Sequence, residues 1–335
     1  MYKKPLFIIP VITLAAISIW AFTNRTAEQL VSTQPLKMIV VRDLGDVNLV
    51  QEIATKKGFF EKNGVPVEPV VLEKISDTRN VNTVLLSGEA DVLMTGIMGE
   101  FAVYLNNADV RWIAQTFTPF SFFAVSRFER NDFNNIRTVG VIRFGGEPAL
   151  ITDAVLSAMH LDPANVKLVA IPTNAARKEL LDKGDLDLII VNSEQFIYES
   201  KLDTRYTVVS PEELFAGSSL YRGIMTTGKV LQENPEAVKR FVASIYQSME
   251  YIKANPEEVK QYMREAYRYS DEQASQSYGR FIAAYTGVNF VPSISLLENT
   301  LATIKDKFKP TNPERGLGEF IYEAFARDAV TAGVK

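Results

Sequence analysis

Residues 37–72 read KMIVVRDLGDVNLVQEIATKKGFFEKNGVPVEPVVL, and this stretch decides the fold class. Met38-Ile39-Val40-Val41, within an extended segment Lys37–Leu44, is rich in β-branched residues and too short for a helix. After Gly45 and Asp46, the apolar residues Leu49, Val50, Ile53 and Ala54 recur at helical spacing until Gly58 interrupts them. Val65–Leu72 is extended again. Strand, helix and strand in this order make a βαβ unit, whose crossover sets its two strands parallel.

The same rhythm runs on toward the C-terminus. Val81, Val84 and Leu85 form a short helix face ended by Gly88, and Ala90–Met94, Arg111–Phe117 and Phe122–Arg127 are predicted strands. Beyond the polar stretch Glu129–Asn135 a second series begins. Its strands are Val139–Ile142, Val166–Ile171 and Leu186–Val191, with helices Ala149–Leu161 and Ala175–Lys183 between them. The last third is read as helical. Val238, Phe241, Val242, Ile245, Met249 and Ile252 hold one face, as do Leu297, Leu301, Ile304 and Phe308, and then Phe320, Ile321, Ala324 and Phe325. The Asn-Pro-Glu tripeptides at Asn234 and Asn255 are predicted helix starts, with asparagine as cap, proline in the first turn and glutamate facing the helix dipole.

A chain of 335 residues exceeds what one core usually serves, so two lobes are expected. The α/β pattern gives a first lobe of residues 36–123 with 219–335, and a second of residues 124–218. Ahead of both, Lys3 and Lys4 precede an apolar run Pro5–Phe22, with polar residues from Thr23. That pattern is a secretory signal or an uncleaved anchor, and in either case the bulk of the chain is exported. Residues 1–35 are then leader and linker.

Composition narrows the function. The net charge is −4 and no basic stripe occurs, so nucleic acid is not an expected partner. Cysteine is absent, which excludes a disulfide framework, a thiolate metal site, a thiol nucleophile and a lipid-modified cysteine. The single histidine, His160, argues against His-rich metal sites and a Ser-His triad. No metal and no cofactor are expected.

Several motifs in order resemble one family. They are Ala54-Thr55-Lys56-Lys57-Gly58-Phe59-Phe60-Glu61-Lys62-Asn63-Gly64-Val65, Leu85-Leu86-Ser87-Gly88-Glu89-Ala90-Asp91-Val92, Leu161-Asp162-Pro163-Ala164-Asn165-Val166, Leu181-Asp182-Lys183-Gly184-Asp185-Leu186-Asp187 and Asn234-Pro235-Glu236. The chain resembles, over residues 36–330, the periplasmic solute-binding proteins that serve ABC importers of aliphatic sulfonates, taurine, nitrate and thiamine-precursor pyrimidines. The resemblance implies a two-lobed, type II binding-protein fold, each lobe a mostly parallel sheet flanked by helices, with a helical C-terminal part. It also implies a ligand cleft between lobes, hinge closure, a permease partner in the membrane and a monomer on the extracytoplasmic side. Two departures stand out. The loop after the first strand, Leu44-Gly45-Asp46-Val47-Asn48, lacks the family's proline, and Ala158-Met159-His160 replaces its glycine.

Ligands of open α/β sheets bind beyond the carboxyl ends of the strands, and pockets favour domain interfaces. That rule selects Asp46 and Asn48, then Thr95, Gly96 and Met98, then Thr118 and Phe120 in the first lobe. In the second it selects Arg143, Gly145, Gly146 and Glu147, with Asn192 and Glu194, and finally Arg222 on the return to the first lobe. Glycines 45, 96, 99, 145 and 146 would let backbone approach a ligand. Arg143 and Arg222 suit a carboxylate or sulfonate, or simply a surface ion pair. Asp46 and Asn192 serve equally as caps. The acids Asp46, Glu147 and Glu194 tilt the expectation toward a pyrimidine-like or amine-bearing solute over sulfonate or nitrate. His160 is expected at a helix C-terminus. The function expected is solute capture without catalysis. The alternatives are a membrane-anchored ligand sensor on the same fold and, with little support, an enzyme like the thiamine-pyrimidine synthases, whose cysteine and histidine chemistry this chain lacks.

Overall fold

The computed structural model describes residues 34–41, 47–72, 81–117, 122–214, 222–286, 288–292 and 309–333, with isolated positions between 294 and 306. Within them the strands form two five-stranded sheets. Sheet A, in the order β2-β1-β3-β10-β4, holds β1 (Leu36–Val41), β2 (Val67–Leu72), β3 (Val92–Gly96), β4 (Val110–Phe117) and β10 (Arg222–Thr227). Sheet B, in the order β7-β6-β8-β5-β9, holds β5 (Phe123–Ser126), β6 (Thr138–Val141), β7 (Lys167–Ala170), β8 (Leu188–Val191) and β9 (Thr207–Val209). The chain leaves sheet A after Phe117, enters sheet B at Phe123, and returns between Leu214 and Arg222.

The apolar runs become strands because both of their faces are covered. Leu36 and Met38 point into a cluster with the C-terminal helices, while Ile39 and Val41 point the other way. In sheet B, Leu188 and Ile190 face one cluster and Ile189 and Val191 another. The long helix Pro235–Ala254 lays Val238, Phe241, Val242, Ile245, Met249 and Ile252 against sheet A and helix Leu49–Lys56. Burying a side chain of this size contributes about 1.5–3 kcal/mol.

Each sheet is mostly parallel, as expected: four of its five strands run one way, and one runs against them, β10 in sheet A and β5 in sheet B. The strands β5 and β10 each follow a crossing from the other sheet, so no helical crossover of their own sheet forces them parallel. One difference from the sequence reading is β10 itself, which occupies a segment read as a loop around Arg222 and Gly223. All six of its residues are buried between β3 and β4.

The helical part differs in detail. Asn234 and Asn255 precede the helices Pro235–Ala254 and Pro256–Tyr267 as expected, but neither caps through its side chain. Asn255 instead donates back to the Tyr251 carbonyl at 2.8 Å. Phe320 and Ala324 do not share one helix. The chain breaks after Leu317–Phe320, Tyr322 N–H donates to the Trp112 carbonyl at 2.9 Å, and a new helix runs Ala324–Gly333. Leu297, Leu301, Ile304 and Phe308 lie outside the described residues, as do Pro5–Phe22. Among the described residues no helix is long and apolar enough to cross a membrane.

His160 ends its helix in the left-handed conformation, with φ 56°. Its N–H donates to Ser157 O at 3.1 Å and that of Leu161 to Leu156 O at 2.8 Å, the two bonds of a Schellman motif. A position that glycine usually fills thus holds an exposed imidazole.

Candidate functional site

The carboxyl ends of β1, β3 and β4 and the amino end of β10 meet at one rim of sheet A. A small cleft open to solvent lies there. Ile39, Val41, Val47, Met94 and Phe117 form its apolar walls. Asn48, Gln51, Thr95, Thr116 and Arg222 supply its polar groups.

Each polar group is set by a nearby element. Asn48 opens the turn into helix Leu49–Lys56 and donates from Nδ2 to the Val41 carbonyl at 3.0 Å, tying the turn to the end of β1. Gln51 lies one turn along the same helix, is 6% exposed, and its Oε1 has no partner among the described residues. Thr95 donates from Oγ1 to Glu100 Oε1 at 3.3 Å, across the start of helix Ile97–Leu105. Thr116, near the end of β4, is buried, and its Oγ1 has no partner among the described residues. Buried polar atoms are nearly always paired, so both oxygens are open to a water or to a bound solute in the cleft.

Arg222 reaches this rim because of the residue behind it. A side chain on Gly223 would begin 2.0 Å from the Ala114 carbonyl and 2.5 Å from the Trp112 ring. Only glycine lets β10 press in here, where its register with β4 slips between Arg222 and Gly223. Arg222 therefore stands opposite both Gly96 of β3 and Phe117 of β4, 8% exposed, and is the one formal charge among the lining residues.

Of the residues selected from sequence, the cleft brings together Asn48, Thr95 and Arg222. Gly96 ends β3 beside Arg222 without lining the cleft. Asp46, Thr118 and Phe120, and the side chains of Met98 and Glu147, lie outside the described residues. The loop Arg143-Phe144-Gly145 is exposed at the carboxyl end of β6, with Phe144 64% exposed, Gly145 at φ 82°, and Gly146 opening the helix Gly146–Ala158. None of these lines the cleft. The sequence reading passed over Gln51 and Thr116.

Asn192 and Glu194 have other neighbours. The cap of helix Glu194–Glu199 is Ser193, whose Oγ accepts from Phe196 N–H at 3.1 Å; Asn192 is buried behind it. Glu194 is buried and paired with Arg280 of helix Asp271–Thr286, while Tyr198 donates its hydroxyl to the same carboxylate at 2.6 Å. Arg280 also meets Glu212 at 3.3 Å and lies 5.8 Å from the Phe123 ring centroid. Burial pushes the Glu194 carboxyl above the usual range, against the pull of the Arg280 charge and the Tyr198 hydrogen bond. This acid spans the two sheets and does not face the cleft, so the expectation of an amine-bearing ligand loses it.

Two sheets flanked by helices, with a polar cleft beyond the strand ends, define the periplasmic-binding-protein fold. The model of the NMT1/THI5-like family matches residues 49–259, and the chain belongs to that family. Among curated proteins none matches the sequence. The ligand-binding component of an ABC-type import system from Staphylococcus aureus, solved with zinc bound, is similar with a TM-score of 0.69 at 14% identity, over 89% of this chain and 99% of that one. The alkanesulfonate-binding protein SsuA from Xanthomonas axonopodis pv. citri, bound to MOPS, gives 0.64 at 11% identity, over 88% and 97%. The periplasmic nitrate-binding protein NrtA from Synechocystis PCC 6803 gives 0.65 at 14%, over 90% and 89%. At these identities the likeness establishes the fold.

Proposed function

We propose that this protein is an extracytoplasmic solute-binding protein that captures a small organic molecule at the rim of sheet A and hands it to an ABC permease. The observation that carries this reading is the cleft itself. Gln51 Oε1 and Thr116 Oγ1 find no partner among the described residues, and their side chains line it together with Arg222, at the strand ends where the fold places ligands. Residues 36–117 with the C-terminal helices act as one lobe and residues 123–214 as the other. The two lobes close as hinged bodies, and closure brings the second lobe over the bound solute.

Capture rather than turnover fits the lining. It holds amides, hydroxyls and one guanidinium, and the carboxylate on the Thr95 hydroxyl, Glu100, is not itself a lining residue. The apolar run Pro5–Phe22 with Lys3 and Lys4 favours a second reading, a membrane-held sensor on the same fold.

The test is a thermal-shift screen of the purified protein against organic acids, sulfonates, amines, pyrimidines and amino acids. A ligand at a hundredfold excess over its dissociation constant raises stability by about 2.7 kcal/mol. A saturable shift from one chemical class, with a smaller radius of gyration by X-ray scattering, supports capture by closure. A flat screen, or chemical conversion of a bound compound, overturns it.

A further inference from the structure

We propose that a knot of side chains centred on Arg280 and Glu194 fixes the angle between the two lobes while no solute is bound. Of the capture reading it uses only the two hinged lobes, and no ligand enters it.

Helix Asp271–Thr286 belongs to the first lobe, since Ala274, Phe281, Ala284 and Tyr285 share a core cluster with Ile113 and Phe117 of β4. Two consecutive residues of that helix nevertheless touch both sheets. Phe281 packs on Phe117, the last residue of β4, with ring centroids 5.8 Å apart. The Arg280 guanidinium lies 5.8 Å from the ring centroid of Phe123, the first residue of β5. Around Arg280 the second lobe supplies two acids from different helices. Glu194 opens helix Glu194–Glu199, just after β8, and Glu212 lies in helix Pro211–Leu214, after β9. Tyr198 completes the group. Its hydroxyl donates to Glu194 at 2.6 Å, and its ring meets Tyr269 of the first lobe edge-on, with centroids 5.1 Å apart. Tyr198 thereby packs against core clusters of both lobes.

Such a knot contributes direction more than strength. Taking a carboxylate and a guanidinium out of water costs about as much as their attraction returns, so the pair adds little net stability. It exists at one geometry only, because a rotation of either lobe parts Arg280 from two acids and Tyr198 from Tyr269 together. Parting them also returns water to both charges, so the tie yields once a solute offers rival contacts. A second contact between the lobes is apolar, where helices Ile97–Leu105 and Gly146–Ala158 meet within one hydrophobic cluster. Apolar contact is non-directional and lets the lobes slide. The knot sets the angle that this contact leaves open.

The chain has no cysteine, so a pair introduced at exposed sites carries spin labels there and nowhere else. Glu61→Cys with Asp185→Cys, and Glu68→Cys with Lys167→Cys, put one label on each lobe. Pulsed dipolar distances in the full chain without solute are expected to show one main population, with any second under about a tenth of the total. Glu194→Gln/Arg280→Met removes both charges at similar volume and should raise the second population at least about fivefold. Tyr198→Phe/Glu212→Gln spares the buried pair and should raise it at least about twofold. Arg130→Gln cuts an ion pair to Glu213 inside the second lobe and should leave both distances unchanged. A wild type spread over several distances overturns the inference. So do knot variants as narrow as wild type, or an Arg130→Gln shift as large as theirs. Capture is decided separately by the thermal-shift screen, so either reading can fail alone.

Discussion

Replacing Arg280 by methionine leaves the Glu194 carboxylate without its counter-charge in a place solvent does not reach. In the native protein the Glu194 side chain is 1% exposed and that of Arg280 is 20% exposed. Removing one partner of such a pair costs about 3–5 kcal/mol, because the survivor stays buried and uncompensated. At about 2 °C per kcal/mol for a chain of this size, the melting temperature falls by about 6–10 °C. The loss also depends on pH in a definite direction. Burial already holds the folded Glu194 pKa above its unfolded value, and losing the Arg280 charge lifts it further. Below the ordinary carboxylate range the acid is protonated in both folded and unfolded states, and the variant differs little from wild type. As pH rises through that range the unfolded chain ionises first, and the penalty grows. Glu194→Gln in the Arg280→Met background removes the stranded charge and is expected to restore at least about 1 kcal/mol near neutral pH. Thermal unfolding of the four proteins from pH 4 to pH 8 gives every leg of the cycle. An Arg280→Met penalty under about 1 kcal/mol at pH 7.5, or one that does not change with pH, refutes the reasoning.

Three other outcomes are expected. Gly223→Ala forces a methyl group against the Ala114 carbonyl, so urea unfolding should show at least about 3 kcal/mol lost; a near-neutral result would mean that β10 sits less tightly than described. His160→Gly relieves a left-handed backbone at a helix end and should stabilise by about 0.5–1 kcal/mol after the extra freedom glycine gives the unfolded chain, visible as a small rise in melting temperature. Glu52 accepts hydrogen bonds from Tyr262 and Tyr267, yet burial outweighs them and raises its pKa. Wild type should therefore lose stability, relative to Glu52→Gln, as pH climbs out of the carboxylate range, and parallel stability–pH curves would count against that burial.

Much of the fold was legible because strands covered on both faces must be apolar at every position. Met38-Ile39-Val40-Val41 and Leu188–Val191 announce themselves for that reason. The strand β10 did not. Its Arg222, Gly223, Thr226 and Thr227 look like loop chemistry, and it is buried by neighbours that arrive from a distant part of the chain. The strand-end rule found Asn48, Thr95 and Arg222. Gln51 was legible in principle, since it lies three residues past Asn48 on one helix face, but it was hidden in the stripe of Leu49, Val50, Ile53 and Ala54. Thr116 lies just inside the strand end where the rule stopped looking. Glu194 misled for the opposite reason: it stands at a strand end, and its partner Arg280 is 86 residues away, beyond any local pattern.

The position of β10 also orders events as the chain folds. Sheet B is built from one continuous segment, β5 to β9, so its pairings close only moderate loops. Sheet A has a gap between β3 and β4 that only β10 fills, and Thr95 waits for Gly223. Long-range pairing of this kind is slow, because loop entropy is lost before contacts repay it. During synthesis the β3 and β4 edges stay unsatisfied until the sheet B segment has emerged in full, and pulse-labelled hydrogen exchange during refolding should find amides of β6 and β8 protected before those of β3 and β4.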